Sequence, residues 1–371
     1  MRDQRIGILL RPDRARRITI ARAHGVLSPQ GAEQCHPGNQ TLAILFISGI
    51  NDLSTVGITL EGDGTAGYVY DGNCAVLRQL RLKPGSFAYA TLFGKGVPQR
   101  RPTFNQKPSL IFNQIADADT HKGALERCAE LCEEVDAPVI NHPLRIRQTG
   151  RDCVSELLQG IPGVIMPKTV RFQPRSPEDV FDHARLGEFA FPFILRLAGD
   201  HNAKSMIRID RGEDLPLMHR YPFDGRDFYL TEYVDCAEPD GRYHKQRLAV
   251  IDGTPVLRHA LYHEDWRVNA RCRDYMAQFE TWESYFQRSR RYESDTMPRL
   301  LAAVHEVTRR LQLEYYGIDC QMRADGKMVI FEANANMNIL FNDVPELQPL
   351  VDGIKQRIVG MIAKRAGEPV A

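Results

Sequence analysis

Long hydrophobic runs are missing from this 371-residue chain. The longest unbroken one, Leu42 to Ile47, falls far short of the roughly 20 residues that cross a bilayer. The opening stretch MRDQRIGILLRPDRARR holds only a short apolar run where a secretory leader needs about seven or more apolar residues. An excess of either charge is missing too: 48 basic and 47 acidic residues leave a formal charge of +1. No overall field would steer such a chain onto nucleic acid or an anionic membrane. The eight cysteines (35, 74, 128, 132, 153, 236, 272 and 320) form no C-x-x-C pair and no zinc-like spacing. Cys128 and Cys132 sit one helical turn apart and read as helix packing. Internal repeats and low-complexity segments are absent. The expectation is a cytoplasmic globular protein without nucleic-acid or membrane partners.

What is present is ordinary in bulk and specific in places. At 43% hydrophobic and 26% charged residues the composition is globular. The length calls for two or three domains. Short strand-like runs (RIGILL, TLAILFISG, SLIFNQIA, APVIN) fill the first 160 residues with one helix at 121–135. That helix carries Leu125, Cys128, Leu131, Cys132 and Val135 on one face. Strands alternating with helices predict an α/β domain with a largely parallel sheet. A Pro/Gly-rich passage at 159–177 reads as a domain boundary. Further strands follow in FPFILRL, SMIRID, FYLTEYV and KQRLAVIDGTPVLRHAL. Helices are predicted at 297–314, with Leu300, Val304, Val307 and Leu311 in one stripe and Pro298 near the start, and at 345–366.

The most informative stretch is YYGIDCQMRADGKMVIFEANANMN. Asp325-Gly326 between alternating residues is a two-residue hairpin signal. Taken literally, it pairs Ala324 with Lys327, Arg323 with Met328, Met322 with Val329, Gln321 with Ile330, Cys320 with Phe331, and Asp319 with Glu332. One face then holds Ile318, Cys320, Met322, Val329, Phe331 and Ala333. The other holds Asp319, Gln321, Glu332 and Asn334, with Ile330 as an apolar intruder. Two opposed carboxylates repel unless one is protonated or a cation lies between them. Asp319, Glu332 and Asn334 offer five side-chain oxygens, which suits magnesium. Magnesium takes one or two carboxylates and leaves its other positions to water and phosphates. The plainer alternative is a solvent-facing strand edge ending in an asparagine turn.

This hairpin resembles the metal-binding hairpin of ATP-grasp ligases, above all ribosomal-protein glutamate ligases and D-alanine–D-alanine ligases. Other pieces resemble that family in its own order, over about 140–371. VINHPLRIRQTGRDCVSELLQGIPGVIMPKTV is similar to the exit from the first domain, and FPFILR to the strand with a phosphate-binding lysine. FYLTEYV is similar to the hinge that holds adenine, and KQRLAVIDGTPVLRH to the strand with a phosphate-binding arginine. The resemblance implies an α/β ATP-grasp fold, α+β in its C-terminal part, with a Rossmann-like N-terminal domain at 1–163. A lid subdomain at 164–236 and a metal-bearing subdomain at 237–371 complete it. It implies ATP and magnesium, two ions with manganese as an alternative, at Asp319, Glu332 and Asn334. It assigns Arg247 and Arg196 to phosphate, and Lys168, Glu232, Tyr233 and Val234 to the nucleotide.

Two departures stand out. Arg196 replaces the family's lysine, and LAGDHNAKSM, with one glycine, replaces the glycine-rich lid, so that His201 and Lys204 are the candidate lid contacts. Arg196 keeps a fixed charge and a forked geometry for phosphate. The implied activity is an ADP-forming carboxylate–amine ligase working through an acylphosphate. Its partners would be a carboxylate and an amine acceptor (amino acid, peptide or protein), in a chain that is a candidate homo-oligomer. The alternatives are a small-molecule kinase of the same fold and a nucleotide-binding protein without catalysis. For the acceptor, Asn113, Asp117 and Asp119 after a strand, Asn336 and Asn338, and the basic group Arg258, His259, Arg267 and Arg271 are candidates. From spacing alone, Lys245 and Arg247 share a strand face, and a turn at Asp252-Gly253 brings Arg258 or His259 opposite Arg247.

Overall fold

The computed structural model describes residues 6–7, 44–60, 66–80, 82, 86–94, 96–102, 104, 107–201 and 204–367. Most of the RIGILL strand lies outside them. The chain divides into two compact units. One comprises Met1–Arg147, Ala335–Asp343 and Val351–Ala371, the other Gln148–Asn334 and Val344–Leu350. No helix among the described residues is long and apolar enough to cross a membrane.

The first unit has a short antiparallel sheet of β1 (Ile6–Gly7), β3 (Gly57–Leu60) and β4 (Ala66–Val69). Its main sheet runs in the order β5 (Phe87–Leu92), β2 (Ile44–Gly49), β6 (Leu110–Asn113), β7 (Val139–Ile140), every pair parallel. Leu45, Phe46, Ile47, Leu110, Ile111 and Phe112 are all fully buried, which explains why these strands read as unbroken apolar runs. The expected helix spans Lys122–Val135 and buries Leu125, Cys128, Leu131 and Cys132. Asp52 accepts from the backbone N–H groups of Lys122 and Gly123 at 3.0 and 2.9 Å, a carboxylate on the positive end of the helix. Seven cysteines are free thiols, and Cys35 lies outside the described residues.

The second unit carries two mostly antiparallel sheets. The smaller runs β11 (Ile207–Ile209), β10 (Phe193–Leu197), β12 (Phe228–Glu232), β9 (Thr169–Phe172). Its core of Phe172, Phe193, Leu195, Phe228 and Leu230 takes in Val180 and Ala184 from the helix Pro177–Leu186. Ser176 starts that helix by accepting from the N–H of Asp179 at 3.2 Å. The larger sheet runs β14 (Thr254–His263), β13 (Tyr243–Ile251), β15 (Tyr315–Met322), β16 (Met328–Asn334), β8 (Val164–Ile165), with only β8 parallel to its neighbour. The helix Met297–Leu311 buries the predicted stripe Leu300, Val304, Val307 and Leu311. It stops short of 314 because Gln312 turns left-handed (φ 53°), its N–H still bonded to the Thr308 carbonyl.

The β15–β16 register corrects the sequence reading. The loop holds three residues, 324–326, closed by Arg323 N–H to the Lys327 carbonyl at 2.9 Å, with Gly326 left-handed at φ +81°. Met322 therefore pairs with Met328, Gln321 with Val329 and Cys320 with Ile330, each one position off the expectation. Phe331 is then the extra residue of a bulge, after which Asp319 does pair with Glu332. The two shifts cancel. Ile330 consequently joins Cys320 on the buried face and is no intruder, whereas Phe331 is only half-buried. A Cβ on Gly326 would meet no atom within 4 Å. Gly326→Ala is therefore expected to lose only the backbone preference, about 1–2 kcal/mol in urea unfolding; a loss near zero would show that the loop does not need the left-handed residue.

Candidate functional site

Residues directly opposite in neighbouring strands share a face of the sheet. In the larger sheet, His259 of β14 lies opposite Arg247 of β13, Arg247 opposite Asp319 of β15, and Asp319 opposite Glu332 of β16. Histidine, arginine, aspartate and glutamate thus form one row across four strands. The β13–β14 turn is the expected two-residue one, with Asp252 and Gly253 both at positive φ (49° and 80°). A bulge at Arg258 then decides in favour of His259 as the partner of Arg247.

Asp319, only 3% exposed, takes a two-pronged grip from Arg247. Arg247 Nε donates to Oδ1 at 2.7 Å and Nη2 to Oδ2 at 2.9 Å, and Lys245 Nζ stands 3.1 Å from Oδ2. Burial pushes this carboxyl up, but Arg247 and Lys245 outweigh it and hold it well below the usual carboxylate range. Glu332 Oε1 accepts from Arg151 Nη2 at 2.6 Å and from Asn334 Nδ2 at 2.7 Å. Burial again pushes its pKa up, and Arg151 and Arg196 bring it down to about 2. The opposed pair is therefore doubly ionised, with guanidinium groups supplying the relief. Burial, then Arg247, pushes His259 well below the ordinary imidazole range, and its Nε2 is buried without a hydrogen-bond partner.

Arg151, which no motif reading nominated, opens the helix Arg151–Leu157. That helix is pinned in its C-terminal half. Arg310 Nη1 donates to the carbonyls of Leu157 and Gln159 at 2.9 and 2.7 Å, and Ser155 Oγ donates to the Pro167 carbonyl at 2.9 Å. Arg171, also missed, binds Asp152 at 3.3 Å and Asp227 at 3.0 Å and lies over the Tyr229 ring. Arg196 is 7% exposed, and its Nη2 donates to the Asp200 carbonyl. Burial, then the neighbouring Arg151, lowers its pKa to about 10.

After β10 the chain turns at one left-handed glycine, Gly199 (φ 71°), and side chains hold the turn. Asp200 Oδ2 accepts from both the N–H and the hydroxyl of Ser205 at 2.8 Å, and Ser205 Oγ accepts from the Leu197 N–H. His201 and Lys204 are exposed, outside the Arg–carboxylate row. The nucleotide candidates divide. Lys168 and Glu232 are joined through their backbones at 2.8 Å, and Lys168 N–H also donates to Glu232 Oε2 at 3.2 Å. Both line a pocket of about 570 Å³ with Asp152, Cys153, Met166 and Arg171. Lys168 Nζ is tied to the Gly187 carbonyl at 2.7 Å, over the Phe189 ring. Tyr233 and Val234 are not among the lining residues. The Tyr233 ring packs against Arg208 and Trp266, and the Val234 carbonyl accepts from the Cys236 thiol.

The acceptor candidates fare differently. Arg258 and His259 are buried in β14, while Arg267 pairs with Asp265 at 2.8 Å and Arg271 is exposed, so the four do not form one cluster. Asn113 bonds the backbone of Ile115 and Asn141, and Asp117 accepts from the N–H groups of Asp119 and Thr120, as loop-forming residues do. Asn336 and Asn338 fall in the first unit.

Among the described residues no group of three or more His, Cys, Asp and Glu is placed to hold a metal. The hairpin set has two carboxylates and an amide, all oxygen donors and doubly charged, which fits the one or two carboxylates magnesium takes from protein.

No protein-family model and no curated protein matches the chain. Solved structures do. D-alanyl-alanine synthetase A from Vibrio cholerae O1 biovar eltor is similar over 89% of this chain and 100% of its own, with a TM-score of 0.51 and 9% identity. The RimK domain ATP-grasp protein of Sphaerobacter thermophilus is similar over 87% and 99%, with a TM-score of 0.49 and 13% identity. D-alanine–D-alanine ligase of Bacillus anthracis matches over 88% and 97%, at 0.49 and 11%. At such identity the likeness concerns the fold, and it bears out the resemblance: the chain has the mixed α/β ATP-grasp fold.

Proposed function

We propose that the chain is an ATP-dependent carboxylate–amine ligase. The observation that supports this best is the ionised Asp319–Glu332 pair, walled by Arg247, Lys245, Arg151 and Arg196 in a single site. Phosphoryl transfer asks a protein mainly to position groups and neutralise charge, and this site holds charge in both signs and little else. Asp319, Glu332 and Asn334 would hold magnesium, which supplies charge neutralisation on the β- and γ-phosphates. Arg247 and Arg196 would bind the transferring phosphoryl group. Lys168 and Glu232 would bind the nucleotide base in their shared pocket, with the backbone of Tyr233 and Val234 beside it and His201 and Lys204 closing over the phosphates.

The reaction has two displacements. A substrate carboxylate oxygen attacks the γ-phosphorus, and the bond to the β-phosphate bridging oxygen breaks, releasing ADP. The nitrogen of an uncharged amine then attacks the acyl carbon, the carbon–oxygen bond to phosphate breaks, and the amine's proton leaves to solvent or phosphate. We read the chain as a Rossmann-like part at 1–163, a lid at 164–236 and a metal-bearing part at 237–371, working in the cytoplasm on amino acid or peptide substrates.

Incubation with magnesium-ATP and pooled amino acids and peptides tests the reading. ADP and phosphate should appear only when both a carboxylate and an amine are supplied, with an amide product by mass spectrometry. A phosphorylated product without an amide would replace the ligase with a kinase.

A further inference from the structure

Each carboxylate that would hold metal already faces a cation of this chain. Arg151 lies 2.6 Å from Glu332 Oε1, with side-chain exposures of 21% and 22%, and Lys245 and Arg247 close on Asp319. Around Asp319 and Glu332 stand Arg151, Lys245 and Arg247, and Arg196, with Asp200 as a third carboxylate beside it, is close enough to feel both Arg151 and Glu332. The site is net positive before any ligand arrives. Like charges repel strongly at the effective dielectric of such sites, so a divalent cation arriving alone is opposed by the surplus. One arriving on a polyphosphate is not.

The Arg151–Glu332 pair could simply dock its helix onto β16. Three features favour a pair that opens. Glu332 is partly exposed rather than sealed. Arg151 and Arg196 are neighbouring like charges that share Glu332, with Asp200 the other carboxylate near Arg196. Arg196 Nε, almost completely buried, has no hydrogen-bond partner. A phosphate oxygen would answer both arginines, whose planar forks suit it.

We propose that Arg151 masks Glu332 against free divalent cations and swings to the phosphates of an incoming nucleotide, so that metal enters only together with nucleotide. This rests on the nucleotide-site reading above but not on the identity of the reaction.

Manganese, followed by electron paramagnetic resonance of the free ion, tests it. The wild-type protein should bind Mn²⁺ alone weakly, and at least about tenfold more tightly with adenylyl imidodiphosphate present, because the two ligands are coupled. Arg151→Gln should bind Mn²⁺ alone at least about tenfold more tightly than wild type, and metal-free nucleotide about fivefold or more weakly. Circular dichroism and thermal melting establish that the variant is folded. If it is not, Arg151→Lys takes its place and should keep Mn²⁺ excluded while losing nucleotide affinity. Wild type that binds nucleotide yet takes Mn²⁺ equally well with and without it overturns the proposal, as does Arg151→Gln with both affinities unchanged. Should nucleotide bind in no form, the nucleotide-site reading fails, and with it the role of Arg151 towards phosphate. The manganese titration of Arg151→Gln alone still decides the masking.

Discussion

Glu332→Gln should lower turnover by about two to three orders of magnitude, the scale of losing one preorganised charge at a reacting group. Glutamine keeps the shape of the side chain and an oxygen that can accept from Arg151 and Asn334, so the bulged strand that carries it is retained. The far-ultraviolet dichroism and the urea midpoint should therefore stay close to wild type. ADP release in the presence of carboxylate, amine and magnesium is the measurement. A variant with undiminished turnover would remove Glu332 from the working site.

The largest effect on stability is expected at Asp319. Its removal as Asp319→Ala leaves the Arg247 guanidinium and the Lys245 ammonium facing each other, with side-chain exposures of only 17% each. Taking one partner from a buried ion pair costs about 3–5 kcal/mol, because the remaining charge stays desolvated after losing its fork partner. Urea unfolding should report that loss for the single variant. The double variant Asp319→Ala/Arg247→Ala should lose clearly less than the sum of the two singles, since removing Arg247 also removes one stranded charge. Strict additivity would mean that the fork between the two side chains carries no coupling.

Both predictions rest on a pairing that was reached from the sequence by a route the structure corrects. A two-residue Asp325-Gly326 turn and an unbulged β16 were each wrong by one position, in opposite senses, so the Asp319–Glu332 opposition survived. Loop length by one residue and the presence of a bulge are decided by how strands fit their neighbours, and alternation of side chains does not reveal them. The β13–β14 hairpin shows the other case. There a local Asp-Gly turn was enough, and only the choice between Arg258 and His259 waited on a bulge.

Elements whose stabilising pattern is local were legible in the same way. Helices at 122–135 and 297–311 announced themselves by a stripe of buried residues at helical spacing. The row of charged residues was partly legible, because Lys245, Arg247, Asp319 and Glu332 sit on alternating strand positions. The order of β14, β13, β15 and β16 in one sheet was not. Nor was the use of Ser205 and Asp200, beside the single Gly199, to hold the turn after β10, which depends on side chains folding back on the backbone.

The sequence by itself determined which residue types could meet a nucleotide and a hard cation: acids and an asparagine closing one hairpin, and arginines on neighbouring strands. Only the tertiary structure decided what those acids meet in the folded chain. Arg151 comes from a helix far away in sequence, held by Arg310 at one end and fixed to Glu332 at the other. Hydrophobic periodicity records which face of an element is buried. It does not record which distant charge is brought to it, and Coulomb energy falls off with distance in space and is indifferent to separation along the chain.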